Sequence, residues 1–275
     1  MKALRLLTLA LLPGCTFVLL DEECDTGTPD TGTPDTGTPV EDGTSTEDTW
    51  LAVSAGGLFT CGVQQSGAAT SAACFGALDF PTVATAAEAG YEHLCVIDDG
   101  DRIVCQGRDE GTLLSPPTLT GPSGLSSGGA HSCALDATGA VTCWGRDLES
   151  QLTPPDAGPF TAVTAGWRHT CALRDDATVA CWGDDALGQA SPPGDTFSRI
   201  STGRDHSCGV GTDGSLACWG TAEDDADVPP EGTTWAEVAT GVDFACALDA
   251  DGTIACWGDA TEGQTTPPEG AGWTA

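Results

Sequence analysis

A β-propeller of about six blades, seven at most, is the all-β fold predicted by this 275-residue sequence, on three observations. The first is the spacing of the cysteines. Beyond residue 48 they fall into pairs: Cys61/Cys74, Cys95/Cys105, Cys133/Cys143, Cys171/Cys181, Cys208/Cys218 and Cys246/Cys256. Their first members recur after 34, 38, 38, 37 and 38 residues, a fixed period that identifies a repeat architecture. The second is that other markers keep the same phase. Pro-Pro recurs at Pro116, Pro154, Pro192, Pro229 and Pro267, and Cys-Trp-Gly at Cys143, Cys181, Cys218 and Cys256. An aromatic-x-x-aliphatic-x-x-Gly run starts at Trp50, Phe160, Phe197 and Trp235. The third is that both faces of the hairpin inside each unit are apolar or small.

The fourth unit shows how a hairpin arises. His169–Leu173 and Val179–Trp182 flank Asp175-Asp176-Ala177. Pairing Arg174 with Thr178 leaves a three-residue loop, whose third position usually needs φ > 0 and favours Gly. Gly139, Gly214 and Gly252 occupy that spot, Ala177 is an exception, and Gly100 sits one residue early. This register sets each cysteine opposite its partner, where the strands approach most closely, so a cross-strand disulfide is available in every unit after the first, and Cys61 and Cys74 are assigned to the same set. The separation of 13 between Cys61 and Cys74, against ten elsewhere, implies a longer or bulged first loop. The competing reading is metal binding, since His-x-Cys-x9-Cys offers three ligands on one face. An exported chain with evenly paired cysteines favours disulfides, and no metal or other cofactor is assigned.

One hairpin face carries His169, Cys171, Leu173, Val179 and Cys181, and the other Ala172, Ala180 and Trp182. Such a sheet must be covered on both sides. Small antiparallel sheets stacked face to face, with the stack bent into a ring, satisfy that demand. The absence of a 3.6-residue stripe and the Gly and Pro in each unit disfavour a helical solenoid. A parallel β-helix would use shorter coils without a hairpin per unit. The tail Gly272-Trp273-Thr274-Ala275 restarts the unit in phase with Trp235, as a last strand of the sixth blade or the stub of a seventh.

Ahead of the repeats, residues 1–15 have a basic start at Lys2 and Arg5, an apolar run and a small-residue exit, the layout of an export signal. The run Leu12-Pro13-Gly14-Cys15 resembles the bacterial lipoprotein signal, in which the cysteine is lipidated and becomes the mature N-terminus; Pro13 departs from that pattern. Residues 16–48 form a low-complexity linker with Asp-Thr-Gly-Thr-Pro repeated from Asp25, Asp30 and Asp35. Lacking large apolar side chains over its length from Asp21, it cannot offset chain entropy by burial. At ~3 Å per residue, about 24 residues would hold the repeat domain, 49–275, several tens of ångströms from an anchor. Cys24 has no partner in the repeat.

The chain carries 41 acids against 9 Lys and Arg, a net charge of −32. Ten acids lie in residues 21–48, so the repeat domain itself holds 31 against seven arginines. Nucleic acid is excluded as a partner, because phosphate neutralisation by a basic surface supplies most of that affinity. Cationic or neutral partners are favoured over anionic ones.

The run Ala165-Gly-Trp-Arg-His-Thr-Cys-Ala-Leu173, followed by Val179-Ala-Cys-Trp-Gly183 and Gly188-Gln189, resembles the regulator-of-chromosome-condensation repeat. Gly128–Gly145, Gly203–Gly220 and Gly241–Gly258 resemble it too, while Gln106 replaces the tryptophan of the second unit. The resemblance covers roughly 50–275. It implies a β-propeller, commonly seven-bladed, that acts through its faces and loops as a protein-binding platform. The family's activities, among them nucleotide exchange on a nuclear GTPase, light sensing and β-lactamase inhibition, do not transfer residue by residue.

His93, His131, His169 and His206 each lie two residues before the first cysteine of a unit, a slot that Phe59 and Phe244 fill in the first and sixth. A slot that Phe can fill points to a hydrogen-bonded scaffold role rather than a catalytic base. Trp167, Arg204, the acidic run Glu223–Asp227 and the deviant stretch Arg102–Glu110 break the pattern, yet none forms a nucleophile–base pair. Asp249-Ala-Asp251-Gly252 only faintly resembles a calcium loop and reads as a hairpin turn. No catalytic residue is assigned. The sequence thus predicts a non-catalytic binding or scaffold module with an unknown protein or polysaccharide ligand. It would be lipid-anchored through Cys15 at a bacterial outer membrane or cell surface, or secreted, with no other membrane contact. The alternative is an exported hydrolase or lyase working at the propeller channel.

Overall fold

The computed structural model describes residues 49–275 apart from 58–59, 67–68, 76–83, 156–157, 222–224, 233, 268–272 and 274–275. Cys15, Cys24 and the boundaries drawn within residues 1–48 lie outside the described residues. Six three-stranded antiparallel sheets follow one another along the chain. The first holds β1 (Thr49–Ala55), β2 (Thr60–Ser66) and β3 (Ala69–Phe75); the second holds β4 (Ala84–Ala89), β5 (His93–Asp98) and β6 (Ile103–Gly107). The third is β7 (Ser123–Ser127), β8 (His131–Leu135) and β9 (Val141–Gly145), and the fourth β10 (Phe160–Ala165), β11 (His169–Arg174) and β12 (Val179–Gly183). The fifth is β13 (Phe197–Thr202), β14 (His206–Gly211) and β15 (Leu216–Gly220), and the sixth β16 (Trp235–Thr240), β17 (Phe244–Asp249) and β18 (Ile254–Gly258). Each sheet packs on the next in chain order, and the sheets are the blades of a β-propeller.

The hairpins follow the sequence register. Arg174 N–H bonds the Thr178 carbonyl at 2.9 Å, and Cys171 faces Cys181. The third loop residue has φ of +79° at Gly139, +84° at Gly214 and +80° at Gly252. Ala177 adopts φ +67°, and in the second blade Asp101, not Gly100, takes this position at +57°. Glycine one residue early therefore leaves the strain on the aspartate. Five cross-strand disulfides join Cys95–Cys105, Cys133–Cys143, Cys171–Cys181, Cys208–Cys218 and Cys246–Cys256, with Cα atoms 4.0–4.1 Å apart. Cys61 is disulfide-bonded as well, and Cys74 is its register partner across β2 and β3.

The core lies between blades rather than within one. Cys133 and Leu135 of the third blade pack with Phe160, Val163, Ala172 and Trp182 of the fourth. Cys171 and Leu173 of the fourth pack with Phe197 and Trp219 of the fifth. The Cys-Trp-Gly tryptophans thus fill the seams, each large side chain contributing about 1.5–3 kcal/mol by burial. Their indole N–H groups find loop carbonyls: Trp144 bonds Leu113, Trp182 bonds Gln151, Trp219 bonds Gln189 and Trp257 bonds Ala226. Trp273 packs on the outer side of the sixth blade and gives its N–H to the Gly252 carbonyl. Phe160, Phe197 and Trp235 make the same bond to Gly139, Ala177 and Gly214 as they open the fourth, fifth and sixth blades. Trp273 therefore takes the opening position of a further unit; the rest of the tail lies outside the described residues.

Candidate functional site

The innermost strands β1, β4, β7, β10, β13 and β16 pack on one another around the axis. Each turns into the second strand of its blade through Gly-x-x-His, or Gly-x-x-Phe in the first and last units. These turns stack by inter-blade backbone bonds: Gly57 N–H to Gly90 O, Tyr91 to Gly128, Gly129 to Gly166, Trp167 to Gly203 and Arg204 to Val242, at 3.1–3.4 Å. The leading glycine is sterically required. A Cβ at Gly128 would collide with the Gly166 carbonyl, and one at Gly203 would stand 2.5 Å from the Gly241 carbonyl.

The four histidines are fully buried, and three of them bridge blades. His93 Nε2 meets Ser132 Oγ at 2.8 Å, His131 meets Thr170 Oγ1 at 2.9 Å and His169 meets Ser207 Oγ at 2.8 Å. The Thr170 hydroxyl donates its proton to the Gln151 carbonyl, and Ser207 donates to Gln189. With its one proton so used, each hydroxyl accepts from Nε2–H, which fixes the tautomer. Burial lowers the histidine pKa values to about 4 at His93, His169 and His206 and about 3 at His131, where neighbouring His169 and His93 add to the effect. His206 departs from the expected hydrogen-bonded role. Neither ring nitrogen has a partner among the described residues, because Ala245 stands where the third, fourth and fifth blades carry Ser132, Thr170 and Ser207.

Below the turns, a belt of short polar side chains lines the inner strands. Ser54 accepts from Ala89 N–H, Ser126 from Ala165 N–H and Ser201 from Thr240 N–H, while Thr164 meets Thr202 at 2.8 Å. Glu88 breaks this belt. Its Oε2 accepts from the Ser54 hydroxyl at 3.0 Å, and desolvation raises its pKa to about 7 against that bond. The sequence reading passed over Glu88. Its signal is a carboxylate at the phase where other units have Ser54, Ser126, Thr164 and Ser201.

The residue after the leading glycine varies from blade to blade: Gly57, Tyr91, Gly129, Trp167, Arg204 and Val242. Tyr91 and Trp167, two blades apart, meet edge to face with centroids 4.6 Å apart. Arg204 sits in the neighbouring turn and pairs with Asp205 at 2.9 Å and Asp243 at 2.8 Å. So the turns place the pattern-breaking Trp167 and Arg204 side by side, and Tyr91, which sequence reasoning missed, joins them. Arg102 pairs with Asp98 at the opposite end of its blade. Asp249 accepts from Asp251 and Thr253 N–H as a hairpin turn does. Among the described residues no group of three metal-binding side chains forms, and no helix is long and apolar enough to cross a membrane.

A disulfide-bonded β-propeller whose blades repeat while their axial turns vary is the class defined by this architecture. The chain carries regulator-of-chromosome-condensation repeats: the model of the regulator of chromosome condensation (RCC1) repeat matches residues 123–151, 160–189 and 235–264. Each matched unit ends on the glutamine (Gln151, Gln189 or Gln264) whose side chain accepts an N–H of its own loop; Leu113 and Ala226 stand there in the second and fifth blades. No curated protein matches in sequence. Among solved structures, the ectodomain of the Physcomitrella patens receptor kinase CR4 is 26% identical with a TM-score of 0.64, over 75% of this chain and 62% of that one. The chain thus spans less than two thirds of that ectodomain. The CRINKLY WD40 ectodomain of the Arabidopsis thaliana receptor kinase ACR4 is 24% identical (TM-score 0.63), over 77% of this chain and 80% of that one. Prp20p of Saccharomyces cerevisiae, described with its binding to Gsp1p and histones, is 14% identical (TM-score 0.66), over 80% and 74%.

Proposed function

We propose that the protein is an exported, lipid-anchored, non-catalytic binding module that presents the axial-turn pole of its propeller to a protein or polysaccharide partner at the cell envelope. The observation that carries this reading is the contrast between scaffold and turn. Glycine, histidine, cysteine and tryptophan positions repeat through the blades, while the turn residue after the leading glycine changes at each step among glycine, aromatic, arginine and valine. A fixed scaffold with variable turns suits recognition rather than turnover. Disulfides in successive blades support an oxidising destination. A hydrolase or lyase at the channel would need at least two pattern-breaking polar groups around the axis; the described belt holds Glu88.

Two measurements test the reading. Metabolic labelling with a fatty acid is expected to mark the full-length protein, and Cys15→Ala is expected to abolish the label and release the protein from membranes. Affinity capture from envelope fractions with the intact mature protein is expected to recover a discrete partner. Turnover of envelope substrates that disappears in Glu88→Gln would instead establish the enzyme.

A further inference from the structure

The side chains of Tyr91 and Trp167 lie outside the apolar cores between the blades. Neither belongs to any of the buried clusters between sheets, and Tyr91 is 42% exposed. They meet because the turn between them carries Gly129: a Cβ there would stand 3.0 Å from the Trp167 ring. On the other side, a Cβ at Gly57 would stand 2.5 Å from the Tyr91 ring. Each ring thus leans over the glycine of the preceding blade. The planes meet at 68°, forming an aromatic corner at the pole. Val242, 41% exposed, adds apolar surface at a further turn. An exposed Tyr against a half-buried Trp on a rigid rim matches the composition of binding hot spots, and a partner would complete their burial.

Charge selects that partner. The loops leaving the third strands begin beside these turns: Arg108 N–H bonds Glu92 O, Asp184 bonds Arg168 O and Asp259 bonds Asp243 O. They bring Asp109, Asp147, Asp184, Asp185, Asp225 and Asp259 to the same pole. Arg108, Arg146, Arg168 and Arg204 stand at this pole too and are outnumbered by its carboxylates; Arg108 pairs with Glu92 and Glu110, and Arg204 with Asp205 and Asp243. A negative field around an aromatic corner attracts a positive group by Coulomb and cation–π forces together, whereas a neutral sugar would use only the rings. Resting on the proposed role of this pole as the binding face, we infer that the Tyr91–Trp167 corner receives an arginine or lysine side chain from a partner protein.

The test titrates the full-length protein with fluorescent hexa-arginine, hexa-citrulline (same shape, uncharged) and cellohexaose. Tyr91→Gly and Trp167→Gly are the informative variants, because two turns of the native fold already carry glycine in this slot; unchanged melting verifies their folding. Hexa-arginine is expected to bind while hexa-citrulline does not, and each variant is expected to weaken binding about five-fold. Asp176→Asn with Asp213→Asn, at the opposite pole, is expected to leave it unchanged. Hexa-arginine binding insensitive to both glycine variants would place the attraction in the acidic linker or the bulk charge and overturn the inference. So would equal binding of hexa-citrulline, cellohexaose binding lost in the variants, or no hexa-arginine binding. A captured envelope partner retained by both variants would remove this site and leave the binding-module reading standing.

Discussion

At the scale of single residues, the histidine of one blade is matched to the residue after the histidine slot in the next. His93, His131 and His169 face Ser132, Thr170 and Ser207, one unit on. Leu94 stands at that position in the second blade, and the preceding unit carries Phe59 in its histidine slot, so along the sequence apolar follows apolar and polar follows polar. His206 opposite Ala245 is the mismatch, leaving a buried imidazole without a partner among the described residues. Ala245→Ser is expected to repair it, because the Ala226 carbonyl that binds the Trp257 indole stands where Gln189 O stands for Ser207. One restored hydrogen bond is worth about 1 kcal/mol, a rise of roughly 2–4 °C in Tm by calorimetry for a domain of this size. An unchanged or lower Tm would show that the site lacks room for the hydroxyl. The scaffold role of the histidines was legible from Phe244 sharing their slot. Their partners were not, because the pairs join positions 38 or 39 residues apart that touch only once the blades are stacked.

At the scale of the element, hairpin register was legible from the second blade to the sixth, because loop length, the Gly slot and facing cysteines are local properties of one unit. In the first, the extra residues between Cys61 and Cys74 lengthen β2 and β3 to the Ser66–Ala69 pair, where a longer or bulged loop was expected. The conformational demand of that slot gives a paired prediction. Gly214 has φ +84°, and a Cβ there would stand 2.5 Å from Thr234 Cγ2. Gly214→Ala is therefore expected to destabilise by about 1–2 kcal/mol, from left-handed strain together with the contact. Ala177, already at φ +67°, offers the reverse substitution, and Ala177→Gly is expected to stabilise by about 0.5 kcal/mol after the entropy of glycine is deducted. Denaturant midpoints of the two variants, moving in opposite directions from the parent, check both. What local reading could not supply is the inner edge of the element. The phase of Ser54, Glu88, Ser126, Thr164 and Ser201 is visible in the sequence, but that these residues share one axial belt follows only from the packing of β1, β4, β7, β10 and β13. The Tyr91–Trp167 contact is of the same kind, since it skips a blade.

At the scale of the whole molecule, two sets of buried groups oppose each other as pH changes. The histidines are held neutral, with folded pKa values of about 4, 3, 4 and 4 against an unfolded value of 6.5. Their contribution to stability is complete above pH 6.5 and is lost as pH falls through those folded values, at about 1.4 kcal/mol per pKa unit. Glu88 runs the other way: with a folded pKa of about 7 against 4.5, its contribution is complete below pH 4.5 and is lost as pH rises through 7. Acidification from pH 7 to 4.5 therefore strengthens the belt at one carboxyl while weakening the seams at four imidazoles. The seams win by number, and Tm is expected to fall. Replacing a histidine by the residue the sixth blade already uses, as in His169→Phe, is expected to make that fall shallower; Ser207 keeps its bond to Gln189 and is not orphaned. Glu88→Gln is expected to raise Tm above pH 7 and to make the acid-side fall steeper, since the opposing carboxyl is gone. Thermal melts of the three proteins between pH 8 and 4 separate these outcomes. A wild-type Tm that holds or rises down to pH 4.5 would mean that the imidazoles take up protons in the folded state, with their unpartnered Nδ1 atoms reached by solvent. In that case the row of histidines between blades would be a wet seam, and the rigidity of the pole would rest on the disulfides and the backbone ladder alone.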